Sequence, residues 1–221
     1  GDSTAQILGS AIHEFARIKV EQPEITEEAL IEKLTASWSL IDQSQGWISA
    51  TALSRAIKML ERLARYDAST AREIKGAELE FEFTIGRAKV RGSIDRIEVD
   101  SDGNFYVIDF KTGKKMVTGE KAKSHLQLAA YQLAVALDGF KEKLEGSQTS
   151  GAELVYLADG TNKPTTRKQP VINKDEVVAQ LQEIAVGMGA EKFIAKKNEM
   201  CKKCVVKSCC PIQNEGRTVI S

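Results

Sequence analysis

The chain has 221 residues, 42% hydrophobic and 28% charged, the balance of an ordinary soluble globular protein that buries a real core in one generous domain or one domain with an appendage. Lys plus Arg and Asp plus Glu both number 31, so net charge gives no hint of nucleic acid, and any DNA contact must come from local patches. No apolar run reaches transmembrane length, no basic-then-apolar leader opens the chain, and the four cysteines cluster between Cys201 and Cys210, unlike a disulfide framework; together these predict a reducing, cytoplasmic setting, no membrane, and a metal or cluster site in the tail.

Ser3 or Thr4 is placed to cap a helix through about Val20, with Ile7, Leu8, Ile12, Phe15, Ala16 and Ile18 as apolar positions. His13 lies in it, four residues after Gly9, whose missing side chain allows another backbone or a ligand close. By itself His13 reads as a helix-surface or hydrogen-bonded core histidine. The abrupt start on a helical pattern fits a segment of something longer. Thr26-Glu27-Glu28 opens a second helix, and Ser49 or Thr51 a third, through about Tyr66. Trp38 and Trp47 are expected to pack in the core of this layer or between its helices.

Glu78 to Ile85 alternates, with Leu79, Phe81, Phe83 and Ile85 on one side and Glu78, Glu80 and Glu82 on the other, the pattern of a half-buried strand. Its glutamates read as a solvated face, from which Glu80 is the one able to join a metal site. The next strand changes phase, with Val90, Gly92 and Ile94 on one parity and Ile97 and Val99 on the other, which predicts a bulge beside Asp95-Arg96. Asp102-Gly103, between runs rich in β-branched and aromatic residues, is a hairpin signal. A loop centred on Asp102 sets Asp95 opposite Asp109, on faces otherwise apolar, with Lys111 on the Asp109 side. Two opposed carboxylates repel by roughly 0.2–1 kcal/mol, and by more if buried. A divalent cation between them turns that cost into a binding site.

After a short basic loop of Lys114 and Lys115, one helix is expected from Gly119 or Glu120 to Leu137, burying Ala122, Leu126, Ala129, Ala130, Leu133 and Leu137. Gln127 and Tyr131, four apart, stack on one of its faces. Gly146 to Gly151 reads as a flexible surface loop, Glu153 to Ala158 as a strand and Gln169 to Ile172 as a short one. Asp175 to about Lys197 is a long helix interrupted near Gly187 and Gly189. The order is αααβββαββα, without internal repeats.

Four motifs in this order resemble the nuclease domain of the RecB family, within the PD-(D/E)XK superfamily. Gly9-Ser10-Ala11-Ile12-His13 is similar to its Gly-x-x-x-His motif, and Gly92-Ser93-Ile94-Asp95-Arg96 to its second. Ile108-Asp109-Phe110-Lys111-Thr112-Gly113 resembles the Asp-Tyr-Lys-Thr-Gly signature with Phe110 in place of Tyr, and Gln127-Leu128-Ala129-Ala130-Tyr131 resembles the Gln-x-x-x-Tyr motif. Cys201-Lys202-Lys203-Cys204 followed by Cys210-Pro211 is similar to the iron–sulfur staple of AddB-type nucleases. Gly151 to Leu157, and Cys210-Pro211 through Glu215-Gly216-Arg217, look most like the C-terminal nuclease module of actinobacterial AdnAB-type (UvrD-like) helicase–nucleases.

The resemblance implies an α/β, restriction-endonuclease-like core: a central mixed β-sheet flanked by helices, with an N-terminal helical layer and a C-terminal Cys-rich tail. It implies one nuclease domain over 1–221, divided into a helical layer (1–75), the catalytic sheet with the Gln-x-x-x-Tyr helix (76–173), and a last helix with the Cys tail (174–221). It implies a bacterial, cytoplasmic, Mg²⁺- or Mn²⁺-dependent deoxyribonuclease cutting single-stranded DNA fed by a helicase motor during double-strand-break end resection, with motor domains in the parent chain and a second helicase–nuclease subunit as partners. His13, Asp95, Asp109 and the backbone carbonyl of Phe110 would hold the metal. Lys111 would orient the attacking water and steady the phosphate, and Gln127 and Tyr131 would bind the DNA backbone or hold Lys111. Lys114, Lys115, Lys121 and Lys123 would line the strand's path. Cys201, Cys204 and Cys210 would ligate a 4Fe-4S cluster. The family's first cluster cysteine precedes the His motif and this chain has none there, so it lies elsewhere, Cys209 substitutes, or no cluster forms. The competing expectations are a non-catalytic DNA-binding or architectural module, for which an acid or the lysine should be missing, and an iron–sulfur- or zinc-stapled scaffold.

Overall fold

The structure, a computed structural model, describes residues 3–42, 44–140, 148–192 and 194–214, with the side chains of 3–5 left aside. The expected caps at Ser3 and Thr4, the Glu215-Gly216-Arg217 phrase and Gly146 fall outside what is described. Three helices come first: α1 (Ser3–Glu21), α2 (Glu27–Ile41) and α3 (Gly46–Asp67). Thr26 starts α2 by accepting the Ala29 N–H at 3.2 Å, with Glu27 and Glu28 in the first turn complementing the helix dipole.

Five strands follow: β1 (Glu73–Ile85), β2 (Ala88–Val99), β3 (Phe105–Lys111), β4 (Thr149–Tyr156) and β5 (Thr165–Gln169). They form one sheet in sequence order, antiparallel except for β3 and β4, which run parallel. A parallel pair needs a long crossover, and α4 (Gly119–Lys123) with α5 (Leu126–Ala136) supplies it. The last helix is α6 (Lys174–Gly189). None of the described helices is long and apolar enough to cross a membrane.

Two cores sandwich the sheet. On one face Ile12, Phe15, Leu34, Trp38, Ala56, Leu60 and Leu63 of the first three helices pack on Tyr106, Ile108 and Phe110. On the other, Leu128, Leu133 and Val135 of α5 and Val177 of α6 cover Phe81, Ile97, Phe105, Val107 and Leu154. β3 is therefore buried on both faces, as the strand next to a parallel partner generally is. This is the mixed sheet, flanked by helices, of a restriction-endonuclease-like fold.

Several local expectations are corrected. Trp47 is 78% exposed, whereas Trp38 is buried and donates its indole N–H to Ser49 Oγ at 3.0 Å. The single helix expected through Leu137 is two, broken at Ser124-His125. Buried Gln169, from β5, donates to the carbonyls of Ala122, Lys123 and His125, satisfying the end of α4 in place of the next helical turn. The register shift of the β1–β2 ladder lies between Ile74 and Gly76. Beside Asp95 the pairing skips Glu78 and Asp95 without a shift, and Ile94 and Ile97 face the same core, the expected change of phase. β4 starts at Thr149, inside the stretch read as a loop, because a parallel β3 pairs with it from Phe105 onward. β5 ends where a strand was expected to begin, at Gln169, and α6 stops at Gly189, eight residues short of the expected end.

The helical layer is pinned to the sheet by buried charge. Arg96, fully buried, pairs with Asp67 of α3 at 2.5 Å. Arg72 pairs with Glu98 at 2.7 Å and with Glu153 at 3.3 Å, and Tyr66 donates its hydroxyl to Glu153. Burial pushes the Glu98 carboxyl up, against the pull of Arg72. Replacing Arg72 by Met strands two buried carboxylates, so urea unfolding at neutral pH should show a loss of about 3–5 kcal/mol, the scale of a broken buried pair. The loss should shrink in acid, where protonated carboxyls no longer need the guanidinium.

Candidate active site

The four β2–β3 partners, Arg96 with Ile108 through Val99 with Phe105, hold the register that sets Asp95 and Asp109 opposite each other just beyond the last pair. There the ladder ends for a chemical reason. Asp95 Oδ2 accepts the Phe110 backbone N–H at 2.7 Å, so a side-chain carboxylate stands where a strand carbonyl would.

His13 comes in from α1. A Cβ at Gly9 would lie 3.0 Å from Thr112 Oγ1, so glycine lets this turn of the helix sit against the residue after β3 with no shift of the Thr112 side chain. His13 Nδ1 lies 3.4 Å from Asp95 Oδ1 and 3.7 Å from Glu78 Oε1. Glu78 is a site residue that the strand alternation hides, because it shares its parity with the glutamates of a solvated face. Its φ is +51°, in the left-handed region that an L-residue rarely holds. The twist turns it out of the alternation of β1, beside Asp95, and Ser93 Oγ donates to its Oε2 at 3.1 Å. Its only sequence signal was position: Ala77 pairs with Arg96 and Leu79 with Ile94, which puts Glu78 across from Asp95.

Among the described residues, His13, Glu78 and Asp95 are the one group of three potential metal donors whose ligand atoms lie within 4.8 Å of one another. Glu80, the glutamate singled out from sequence, is not in it. Gly9, Ser10, His13, Glu14 and Glu78 line an open cleft of about 500 Å³ beside the group.

Asp109 sits next to this group, 2% exposed, and faces the α5 side. Its Oδ2 lies 2.6 Å from Lys111 Nζ. Lys111 donates to Gln127 Oε1 at 3.0 Å, and Gln127 Nε2 donates to Tyr131 Oη at 2.8 Å. Carboxylate, ammonium, amide and phenol thus form one chain from β3 to α5. Burial, then the Asp95 charge, pushes the Asp109 carboxyl up to about 6 against the opposing pull of Lys111. Burial lowers the His13 pKa, but the hydrogen bond to Asp95 and the charges of Asp95, Glu78 and Asp109 outweigh it, and the net shift is upward. Burial, then the Asp109 charge, pushes the Tyr131 hydroxyl up to about 12.

The donor set fits a divalent cation. Glu78 and Asp95 share a small space with His13, the buried Asp109 lies beside them, and His13 and Lys111 are the cations that act on Asp109 among the described residues. Both imidazole and carboxylate oxygens suit Mn²⁺, the oxygens also Mg²⁺. The backbone N–H of Phe110 is fixed by Asp95, while its ring is buried against Tyr66 and lies under the Arg96 guanidinium. The basic residues scatter. Lys114 lines a second cleft, Lys115 Nζ lies 3.8 Å from Met200 Sδ, Lys123 pairs with Glu120 at 2.8 Å, and Lys121 is exposed. Cys201, Cys204 and Cys210 are free thiols on two successive short 3-10 turns, Glu199–Lys203 and Lys207–Cys209, and their close. They do not converge within 4.8 Å, so a compact zinc-type donor set is not preformed among the described residues.

The family model described as "PD-(D/E)XK nuclease superfamily" matches residues 1–211. A solved structure titled "Crystal structure of SSO0001" is 17% identical with a TM-score of 0.43, the match covering 96% of this chain and 98% of that one. No curated protein sequence matches the chain. With its model spanning all but the last ten residues, the chain belongs to the PD-(D/E)XK nuclease superfamily.

Proposed function

We propose that the chain is a Mg²⁺- or Mn²⁺-dependent deoxyribonuclease domain of RecB type that hydrolyses phosphodiester bonds of single-stranded DNA, with His13, Glu78, Asp95 and Asp109 holding the metal. The observation that carries this reading is the convergence of two carboxylates on one imidazole beside a lysine held by a buried third acid, Asp109. A purely architectural module has no reason to keep a buried Asp109 at about 6 or a glutamate at positive φ. When bound, the metal neutralises charge on the scissile phosphate and lowers the pKa of a coordinated water.

The chain's own groups do the rest. Asp95 holds the Phe110 N–H and so fixes the β3 backbone that bears Asp109 and Lys111. Lys111, its ammonium anchored between Asp109 and Gln127, offers its remaining donor to the attacking water or to a phosphoryl oxygen, where negative charge grows in the transition state. Tyr131 accepts from Gln127 Nε2 while Gln127 Oε1 takes the Lys111 ammonium, so this pair positions the lysine. The motifs' likeness to AdnAB-type modules supports delivery of the strand by a helicase motor in the same parent chain, with a second helicase–nuclease subunit, in end resection. It also supports a 4Fe-4S cluster on Cys201, Cys204 and Cys210, tested by visible charge-transfer absorbance and an iron assay.

Asp95→Ala should abolish metal-dependent cleavage of labelled single-stranded DNA while the circular dichroism spectrum is retained; persistent cleavage would sink the assignment. Lys111→Ala should lower kcat by about two to three orders of magnitude with Mn²⁺ affinity retained, and Gln127→Ala by about tenfold. Glu78→Gln should weaken Mn²⁺ binding in calorimetry by about 10- to 100-fold, whereas Glu80→Gln should leave it unchanged.

Asp109 gives a stability test. A carboxyl near 6 when folded and near 3.8 when unfolded binds its proton more tightly in the native state, so ionising it costs stability as pH rises through that window. Metal-free Asp109→Asn should therefore be more stable than wild type at pH 8, by on the order of 1–3 kcal/mol. The gain should vanish as pH falls toward 4, read by thermal melts in EDTA.

A further inference from the structure

A second and larger cleft, of about 740 Å³, opens between α3, the start of α1 and the Thr112–Lys114 turn. It adjoins the site in two places. Leu8 lines it while the next residue, Gly9, lines the His13 cleft, and Thr112-Gly113 in its wall directly follow Lys111.

Its charge is one-sided. Arg55, Lys58, Arg62 and Lys114 line it, and no acidic residue does, in a chain with equal numbers of acids and bases. Trp47, Thr51, Arg55, Lys58 and Arg62 recur at spacings of three and four, so α3 presents them along one face about 22 Å long, the span of a few nucleotides. Arg62 is fixed by donating to the Leu157 carbonyl at 2.8 Å, which anchors the inner end of the row. At the outer end stands Trp47, 78% exposed beside Ile48, while Trp38 is buried. An indole on the open wall of a cationic groove has one ready physical use: a base stacks on its face while phosphates meet the cations.

We propose that this cleft is a track for single-stranded nucleic acid, Trp47 stacking on an unpaired base and Arg55, Lys58 and Lys114 contacting phosphates as the strand runs toward Lys111. It deepens the nuclease reading and rests on it for direction. A duplex is excluded as the natural occupant because paired bases keep their faces covered. An acidic protein surface fits the charges but has no need of a free aromatic face.

The test is fluorescence anisotropy of a short labelled oligo(dT) with the whole chain in EDTA, which prevents cleavage. Trp47→Ala should weaken binding by about 5- to 100-fold and Trp47→Phe should restore most of it. Binding of a blunt hairpin closed by a non-nucleotide linker, which offers no unpaired base, should be the same for Trp47→Ala as for wild type. Arg55→Ala with Lys58→Ala should flatten the slope of log affinity against log salt by about 1.4, the share of two phosphate contacts on a single strand. Thermal melts should match wild type, since all three side chains are exposed.

The track is overturned if Trp47→Ala binds oligo(dT) like wild type, if the double variant keeps the salt slope, if the hairpin is weakened equally, or if wild type binds no oligo(dT) at low salt. Failure of the nuclease reading looks different. Oligo(dT) binding that follows the expected pattern, in a chain that cleaves nothing with Mg²⁺ or Mn²⁺, keeps the track and removes the nuclease. Cleavage with an unchanged KM in Trp47→Ala does the reverse.

Discussion

Like charges forced together at the parting of β2 and β3 are the constraint on which the site depends. The hairpin register sets Asp95 across from Asp109, the left-handed backbone at Glu78 turns a third carboxylate toward them, and burial denies Asp109 the water that would screen it. The fold answers with what positive charge it can bring. His13 arrives on α1 with a raised pKa, and Lys111 takes the buried acid. Neither neutralises all three acids, and a dication would make up that deficit.

The two helical layers serve this site differently. The N-terminal layer is fixed to the sheet by Arg96 with Asp67 and by the Arg72 cluster, and through that attachment it carries His13 to within hydrogen-bonding reach of β2. The α5 layer approaches the opposite face and supplies Gln127 and Tyr131, which hold Lys111 in one place. A site assembled from both sides of a sheet needs a central strand buried on both faces. β3 is that strand, and its parallel pairing with β4 is what puts it there.

The polar network around Gln169 shows how a distant contact overrules local pattern. Nothing in the sequence from Gly119 to Leu137 breaks a helix: there is no internal glycine after the start and no proline. At the break at Ser124-His125 a buried glutamine from β5 donates to the carbonyls of Ala122 and Lys123, which an unbroken helix would have bonded itself. Trp47 makes the same point for burial. Helical spacing placed it on α3 but could not say whether that face meets a neighbour, and here it meets solvent.

Most of the site's chemistry was legible along the chain. Asp102-Gly103 fixed a turn, the turn fixed the register, and the register fixed Asp95 against Asp109 with Lys111 beside it, all from local geometry. Gly9 was legible as a point of close approach, here to Thr112, whereas His13 by itself read as an ordinary helix histidine and took its place only from the motif resemblance. Only the tertiary structure decided which acid of β1 joins them. A strict alternation puts Glu78 and Glu80 on the same face; of the two only Glu78 joins the donor group, and it does so at a positive φ that no residue pattern encodes. It alone also decided that α3, one helix of a buried layer, turns a tryptophan and a row of cations outward. Burial belongs to the pair of surfaces that meet, and a sequence describes only one of them at a time.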